Sequence, residues 1–285
     1  MEKILLASDL DRTLIPNGAH PESQGARQVF ACVAGHEEFS LCYVSGRSRE
    51  LMAEAINRWH LPVPHWAITD VGATLWQAQG ASWRRVLAWE EDIALDWRGA
   101  EGGEIVCLLS QVPGLRPQEE RQQGRLKASF YVDPEAEDVV KTIHALLHPR
   151  GIRAEVILSF DAAAGVGLAD VLPRRANKRH ALEFLCQHLG FPKERVVFFG
   201  DSGNDLAVFK SDFYSVVVAN ADEDIKEEAR LAAGVSPEPK TPYIAQGGFL
   251  GMNGCYAAGV LEGLAAFFPE TQGIAERCAG GHLHA

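Results

Sequence analysis

Four short apolar runs, each closed off by turn or polar residues, set the narrowest limits on the fold: Ile4 to Ala7, Leu41 to Val44, Val196 to Phe199 and Val216 to Ala219. Runs of this kind, without polar alternation, suit strands buried on both faces, as in a parallel sheet. Segments with helical spacing lie between and after them: Gln24 to Val33, Arg49 to Trp59, Lys178 to Leu189 and Asp222 to Leu231. Gly190-Phe191-Pro192 supplies a stop after the third. Alternating strand and helix implies an open α/β sheet with right-handed crossovers.

The middle of the chain has another rhythm. A helix is expected near Glu104 to Ser110, then a polar loop from Arg116 to Arg125, a strand at Lys127 to Val132 and a helix at Glu135 to Leu147. Two further strands, Ala154 to Phe160 and Val166 to Val171, are joined by Asp161-Ala-Ala-Ala-Gly165, which reads as a hairpin. The expected organisation is an α+β domain at 82–170 inserted into a core built from 1–81 and 171–285. A chain of 285 residues has room for two such domains.

The formal net charge of -11 would repel a nucleic acid or an anionic membrane, so an anionic ligand needs a local cluster of cationic groups and backbone N–H. No nucleic-acid or membrane partner is expected. The first apolar run is too short for a secretory segment or a membrane span, which reads as cytoplasmic. Six scattered cysteines, Cys32, Cys42, Cys107, Cys186, Cys255 and Cys278, show no C-x-x-C pair, so reduced thiols are expected. The tail after Gly280 reads as frayed, with a shared metal at His282 and His284 the less favoured alternative.

Chemistry concentrates at strand ends. Asp9-Leu10-Asp11-Arg12-Thr13 follows the first apolar run, and carboxylates two apart can both face the crevice beyond a strand's carboxyl end. One could attack phosphorus while the other moves a proton; a solvated turn with Asp at a helix N-cap is the bland alternative. Gly200-Asp201-Ser202-Gly203-Asn204-Asp205 follows another apolar run, and close carboxylates repel unless a hard cation such as magnesium joins them. A capped strand-to-helix turn is the alternative there. Ser45 and Gly46, ahead of a helix, could hold phosphate oxygens, or Ser45 could simply cap that helix. Lys178 could neutralise a phosphate or be solvated surface.

The order of these signals, DxDxT, then Ser, then Lys, then GDxxND, resembles the haloacid dehalogenase-like hydrolase superfamily. The resemblance implies a Rossmann-like core with Asp9 as nucleophile and Asp11 as general acid/base. It further implies that Ser45, Gly46, Lys178 and Asn204 bind phosphate. Mg2+ would be held by Asp9, the main-chain carbonyl of Asp11 and Asp201, with Asp205 completing or orienting the shell. In this superfamily an α+β insertion between the Ser and Lys signals is a cap that selects the leaving group, which implies a small substrate.

Ile68 to Ala73, Leu126 to Pro134, Asp170 to Pro173, Val217 to Ala221 and Tyr256 to Leu264 are similar to the capped (C2B-type) sucrose-phosphate phosphatase branch. That branch implies hydrolysis of sucrose 6-phosphate to sucrose and phosphate. A mannosyl-3-phosphoglycerate or glucosylglycerol-phosphate phosphatase is the alternative. A non-catalytic sugar-phosphate-binding partner of a glycosyltransferase is a third reading, and association with such a synthase is the partner expectation. Ser45 stands where the branch often has Thr, and no Gly follows Lys178 in Asn177-Lys178-Arg179. Lys127, Gln122 and Gln123 are candidate sugar contacts, each with a solvated loop or strand as its plainer role. All six Trp fall between Trp59 and Trp97, where core packing outweighs sugar stacking as the expectation.

Overall fold

The computed structural model describes residues 3–80, 82–133, 136, 138–161, 165–234 and 241–282. The chain divides into two compact units, Met1–Arg85 with Lys178–Ala285, and Val86–Asn177.

The first part of the larger unit comprises β1 (Ile4–Ser8), α1 (Ala26–Ala34), β2 (Phe39–Val44), α2 (Arg49–Trp59), β3 (Trp66–Thr69), β4 (Thr74–Gln79) and β5 (Ser82–Arg85). The smaller unit holds α3 (Leu87–Ala94), α4 (Gly102–Leu109), β6 (Leu115–Pro117), β7 (Ala128–Val132), α5 (Val139–Leu147), β8 (Ala154–Asp161) and β9 (Val166–Pro173). The chain then completes the larger unit with α6 (Lys178–Leu189), β10 (Val196–Gly200), α7 (Leu206–Phe209), β11 (Tyr214–Val217), α8 (Glu223–Ala233), β12 (Tyr243–Ile244), α9 (Ala257–Phe267) and α10 (Gln272–His282).

In the larger unit the strands form one sheet in the order β12-β11-β10-β1-β2-β3-β4-β5. Pairings from β12 through β3 are parallel, and β4 and β5 add antiparallel at one edge. β1 therefore lies between β10 and β2, so the loops that leave these three strands emerge side by side. All five residues of β1 are buried, as an unalternating apolar run requires. Leu6, Leu10, Phe30, Leu41, Val197, Phe199, Val260 and Leu264 belong to one buried cluster on this sheet.

Helix α2 begins where Ser48 accepts a hydrogen bond from the N–H of Leu51 (3.4 Å). Helix α9 lies so close to β11 that a Cβ on Gly263 would collide with the side chain of Val216. Buried Glu262 accepts from Tyr243 Oη (2.9 Å) and from the N–H groups of Gln246 and Gly247 (both 2.8 Å), tying α9 to β12 and the turn after it.

The smaller unit is a four-stranded antiparallel sheet, β6-β7-β9-β8, with helices. Its start and end are pinned together. Buried Asp96 accepts from the N–H of Arg175 (2.8 Å) and pairs with Arg153, while Arg175 Nη1 lies 3.0 Å from Asp92.

The junctions fall at 85/86 and 177/178 rather than at 81/82 and 170/171, because β5 hydrogen-bonds into the large sheet and β9 continues to Pro173. The expected helix at Glu135 to Leu147 is described from Val139, and its earlier residues Glu135 and Glu137 lie outside the described residues. So do 162–164 of the expected hairpin, and His284. Among the described residues no helix is long and apolar enough to cross a membrane.

The expectation of six reduced thiols needs correction. Cys32 of α1 and Cys278 of α10 form a disulfide with their Cα atoms 5.8 Å apart, and Cys42, Cys107, Cys186 and Cys255 are free. The pair is 246 residues apart in sequence and meets only because α1 and α10 pack on one core. In non-reducing buffer, replacing Cys32 and Cys278 together by Ser should lower the unfolding free energy by about 2–4 kcal/mol. Urea melts with and without a thiol reductant check this: reductant should shift the wild type and leave the double variant unmoved.

Candidate active site

The loops after β1 and β10 bring Asp9, Asp201 and Asp205 together, with a carboxylate oxygen of each within 4.8 Å of the others, and all three are buried. Asp9 is fixed by its own backbone: its N–H donates to the Phe199 carbonyl (2.9 Å), and its Oδ1 accepts from the N–H of Leu10 (2.7 Å).

Lys178, the first residue of α6, supplies the cation. Its fully buried Nζ lies 2.9 Å from Asp9 Oδ2 and donates to Asp205 Oδ1 (2.7 Å) and Asn204 Oδ1 (2.8 Å). An ammonium has three hydrogens, and these three acceptors use them.

Asp205 turns inward. Its Oδ2 accepts from the N–H groups of Asp201 and Ser202 (both 3.1 Å), while Oδ1 faces Lys178. Gly200 makes room for this carboxyl, since a Cβ there would lie 2.5 Å from Asp205 Oδ2. Of the two roles the sequence left for Asp205, completing or orienting a metal shell, its hydrogen bonds fit orientation.

Asp201 is different. Thr13 Oγ1 donates to its Oδ1 (3.2 Å), but its buried Oδ2 has no hydrogen-bond partner; Arg12 Nε lies 3.2 Å away as a neighbouring charge. A buried carboxylate oxygen without a donor, beside a second buried carboxylate, fits a hard divalent cation with oxygen ligands. Asp9 and Asp201 are the side chains that could hold one.

The electrostatics agree. Burial, reinforced by Asp205, pushes the Asp9 carboxyl up to about 7 despite Lys178. Burial and Asp205 likewise push Asp201 up to about 6, against the pull of Arg12. Lys178 moves the other way from what burial favours: the carboxylates of Asp205 and Asp9 hold it charged.

Asp11 is half-exposed and faces elsewhere. Arg47 Nε and Nη2 donate to its two oxygens, each at 2.7 Å, and Asn17 Nδ2 donates at 2.8 Å. Burial alone would raise its pKa, yet these bonds outweigh burial and lower it. In this pose Asp11 is an ionised proton acceptor.

Ser45 is buried at the end of β2, and its Oγ accepts only the N–H of Arg47 (3.3 Å) among the hydrogen bonds described. Ser48 caps α2 instead, which removes the capping alternative for Ser45. Gly46 follows in the same turn, where a Cβ would meet only Val71, at 3.6 Å.

In the smaller unit, Gln123 is a loop brace. Its Nε2 donates to the carbonyls of Gln118 (3.0 Å) and Ser129 (2.9 Å), and its Oε1 accepts the N–H of Ser129 (2.8 Å), so neither donor is left for a sugar. The Gln122 carbonyl accepts from Ser129 Oγ (3.1 Å), and Lys127 Nζ lies 3.5 Å from Asp170.

Thr13, Asn17, Arg12 and Arg47 have no role assigned from sequence, although Arg12 and Thr13 stand inside the Asp9 to Thr13 motif and Arg47 directly follows Ser45 and Gly46.

A sequence profile described as Sucrose-6F-phosphate phosphohydrolase matches residues 2–268. The chain belongs to this family. Membership makes it a phosphatase of the haloacid dehalogenase-like superfamily. It is 44% identical over 274 residues to a HAD-like hydrolase of Nitrosococcus oceani, covering 95% of this chain and 73% of that one. It is 31% identical to sucrose-phosphatase 1 of Nicotiana tabacum over 83% of this chain but 55% of that protein, so it spans about half the length of the plant relative. The solved sucrose-phosphatase of Synechocystis sp. PCC6803, in complex with sucrose and phosphate, superposes with a TM-score of 0.67 and 26% identity, covering 94% of this chain and 98% of that one.

The raised carboxyls give a pH signature. Because Asp9 and Asp201 bind protons more tightly folded than unfolded, the cation-free protein should lose stability as pH rises from 3.8 to about 7. A divalent cation competes with those protons, so the rise in melting temperature on adding magnesium should grow across this window and level off above it. Calorimetric melts across that range check this; a gain independent of pH would contradict it.

Proposed function

We propose that this protein is a magnesium-dependent phosphatase that hydrolyses a small glycosyl phosphate, with sucrose 6-phosphate as the leading substrate, through a phosphoryl-Asp9 intermediate. The observation that carries the reading is the buried Lys178 ammonium, shared between Asp9 and Asp205 beside the Asp201 oxygen that accepts no hydrogen bond. A carboxylate held next to a buried cation is ready to meet a dianionic ester, since phosphoryl transfer is chiefly positioning and charge neutralisation. Similarity to the sucrose-phosphatases supports the choice of sugar.

In the first half-reaction a carboxylate oxygen of Asp9 forms a bond to phosphorus as the bond to the sugar oxygen breaks. Asp11 gives its proton to that leaving oxygen. Since Arg47 favours the ionised carboxylate, donation requires Asp11 to turn away from Arg47 and take up a proton first. In the second half-reaction water attacks phosphorus, Asp11 accepts its proton, and the Asp9 carboxylate is released. Ser45 and Gly46 hold the phosphoryl oxygens, joined by Lys178 as its contact to Asp9 passes to the incoming phosphoryl group, and Asn204 steadies Lys178. Magnesium, held by Asp9 and Asp201 and the main-chain carbonyl of Asp11, supplies neutralisation of the phosphoryl oxygens when bound.

Substrate selection is assigned to the smaller unit as a cap, with Lys127 and Gln122 its remaining candidates for sugar hydroxyls. The protein would act in the cytoplasm, downstream of the glycosyltransferase that makes its substrate, and direct association with that synthase is testable by co-elution.

Phosphate release should be fastest from sucrose 6-phosphate among a panel that also holds mannosyl-3-phosphoglycerate, glucosylglycerol phosphate and p-nitrophenyl phosphate. Sucrose 6-phosphate turning over no faster than p-nitrophenyl phosphate would overturn the substrate. Asp9→Asn should abolish turnover while leaving ligand binding detectable. Asp11→Asn should slow esters with poor leaving groups by roughly 100- to 10,000-fold and p-nitrophenyl phosphate far less; equal losses would contradict the acid role.

A further inference from the structure

Arg12 is the one charged side chain of the Asp9 to Thr13 turn that the proposed chemistry leaves unused. Its backbone is held at φ 57°, in the left-handed region that residues other than Gly seldom enter. The turn over-determines that conformation. The Arg12 N–H donates to Asn17 Oδ1 (2.8 Å) and the Ile15 carbonyl (3.0 Å), and its carbonyl accepts from Asn220 Nδ2 (2.6 Å). Asn220 is itself buried and takes the N–H of Tyr256 on its Oδ1 (2.7 Å).

The side chain is held as firmly. Arg12 Nη2 donates to Asp222 Oδ1 (3.0 Å) and to the Asn220 carbonyl (3.5 Å). Nε lies 3.2 Å from Asp201 Oδ2, yet that oxygen has no aligned donor. The hydrogen bonds of the guanidinium thus go to the 220–222 turn, and Asp201 receives its charge alone.

We infer that Arg12 is a fixed counter-charge of the cation site, neutralising Asp201 within the acidic cluster and opposing a divalent cation at the same carboxylate, with Asp222 damping its charge. The inference rests on the cation-dependent reading above and deepens it: Arg12 sets how tightly the site holds its metal. A lone pair left free on Asp201 Oδ2 can still take a cation, but the cation arrives against a like charge. Arg12 and Asp222 are partly exposed, so water screens this repulsion without removing it.

Titrating magnesium into the full chain by calorimetry, at a pH above that of the raised carboxyls, tests it. Arg12→Gln should bind magnesium about five- to tenfold more tightly than wild type, the size expected for removing one charge near a divalent ion in water. Arg12→Lys, which keeps the charge, should stay close to wild type. Asp222→Asn should bind more weakly, because it leaves Arg12 undamped. In urea melts Arg12→Gln should be less stable than wild type without magnesium and recover at saturating magnesium.

Unchanged or weaker binding by folded Arg12→Gln, in a wild type that does bind magnesium, overturns the inference alone. If Arg12→Gln does not fold, unchanged or tighter binding by Asp222→Asn overturns it. A wild type that binds no magnesium, by the same measurement, overturns the cation reading and this inference together.

Discussion

The buried ammonium of Lys178 is the contact on which the rest of this site depends. Asp9, Asp201 and Asp205 sit within one small volume, out of water, where like charges repel strongly and hydration cannot offset them. Lys178 meets two of the three directly and is steadied by Asn204. Removing one partner from a buried ion pair typically costs about 3–5 kcal/mol, because the remaining charge has no substitute. The cluster therefore survives as a unit: the cation holds Asp9 and Asp205, Asp205 holds the loop that presents Asp201, and Asp201 is left with an oxygen that protein donors do not fill.

That arrangement is largely legible in the sequence, for a topological reason. An apolar run too short and too uniform for anything but a doubly buried strand, followed at once by acidic residues, places those residues at the carboxyl edge of a sheet. Two such runs, at Ile4 and Val196, became adjacent strands, and the run at Leu41 became the neighbour on the other side. The spans of Arg49–Trp59 and Lys178–Leu189 also match the expected helices, since each has a clear start and stop in its own sequence. β3, β4 and β5 left weaker signals: β3 is buried but only four residues long, while Trp76, Gln77 and Trp83 to Arg85 mix polar, aromatic and charged residues toward a partly exposed sheet edge with no clean period.

Arginines were the main loss at the site. Arg12 lies within the Asp9 to Thr13 motif and Arg47 directly follows Ser45 and Gly46, yet a guanidinium's role depends on which carboxylates its long side chain can reach. Arg47 reaches Asp11, 36 positions away, and Arg12, after β1, reaches Asp201 and Asp222 on the loops after β10 and β11. Gln123 failed in the opposite direction. As a polar loop residue it suggested ligand contact, but the loop's own backbone groups consume its amide. Local sequence shows that a polar side chain is available and says nothing of the partner that claims it first.

The link between Cys32 and Cys278 encloses nearly the whole sequence, including every residue of the smaller unit and every member of the acidic cluster except Asp9. A backbone cut anywhere between the two cysteines would leave two fragments that are still one covalent molecule. For a cut within the smaller unit, the piece carrying Asp9 and the piece carrying Lys178 and Asp201 would stay at high effective concentration, so re-forming the central strand pair would be an intramolecular event. With respect to cleavage, residues 32–278 behave as a closed ring, and the inserted segment is a part of that ring that can be opened without scattering the strands that carry Asp9 and Asp201.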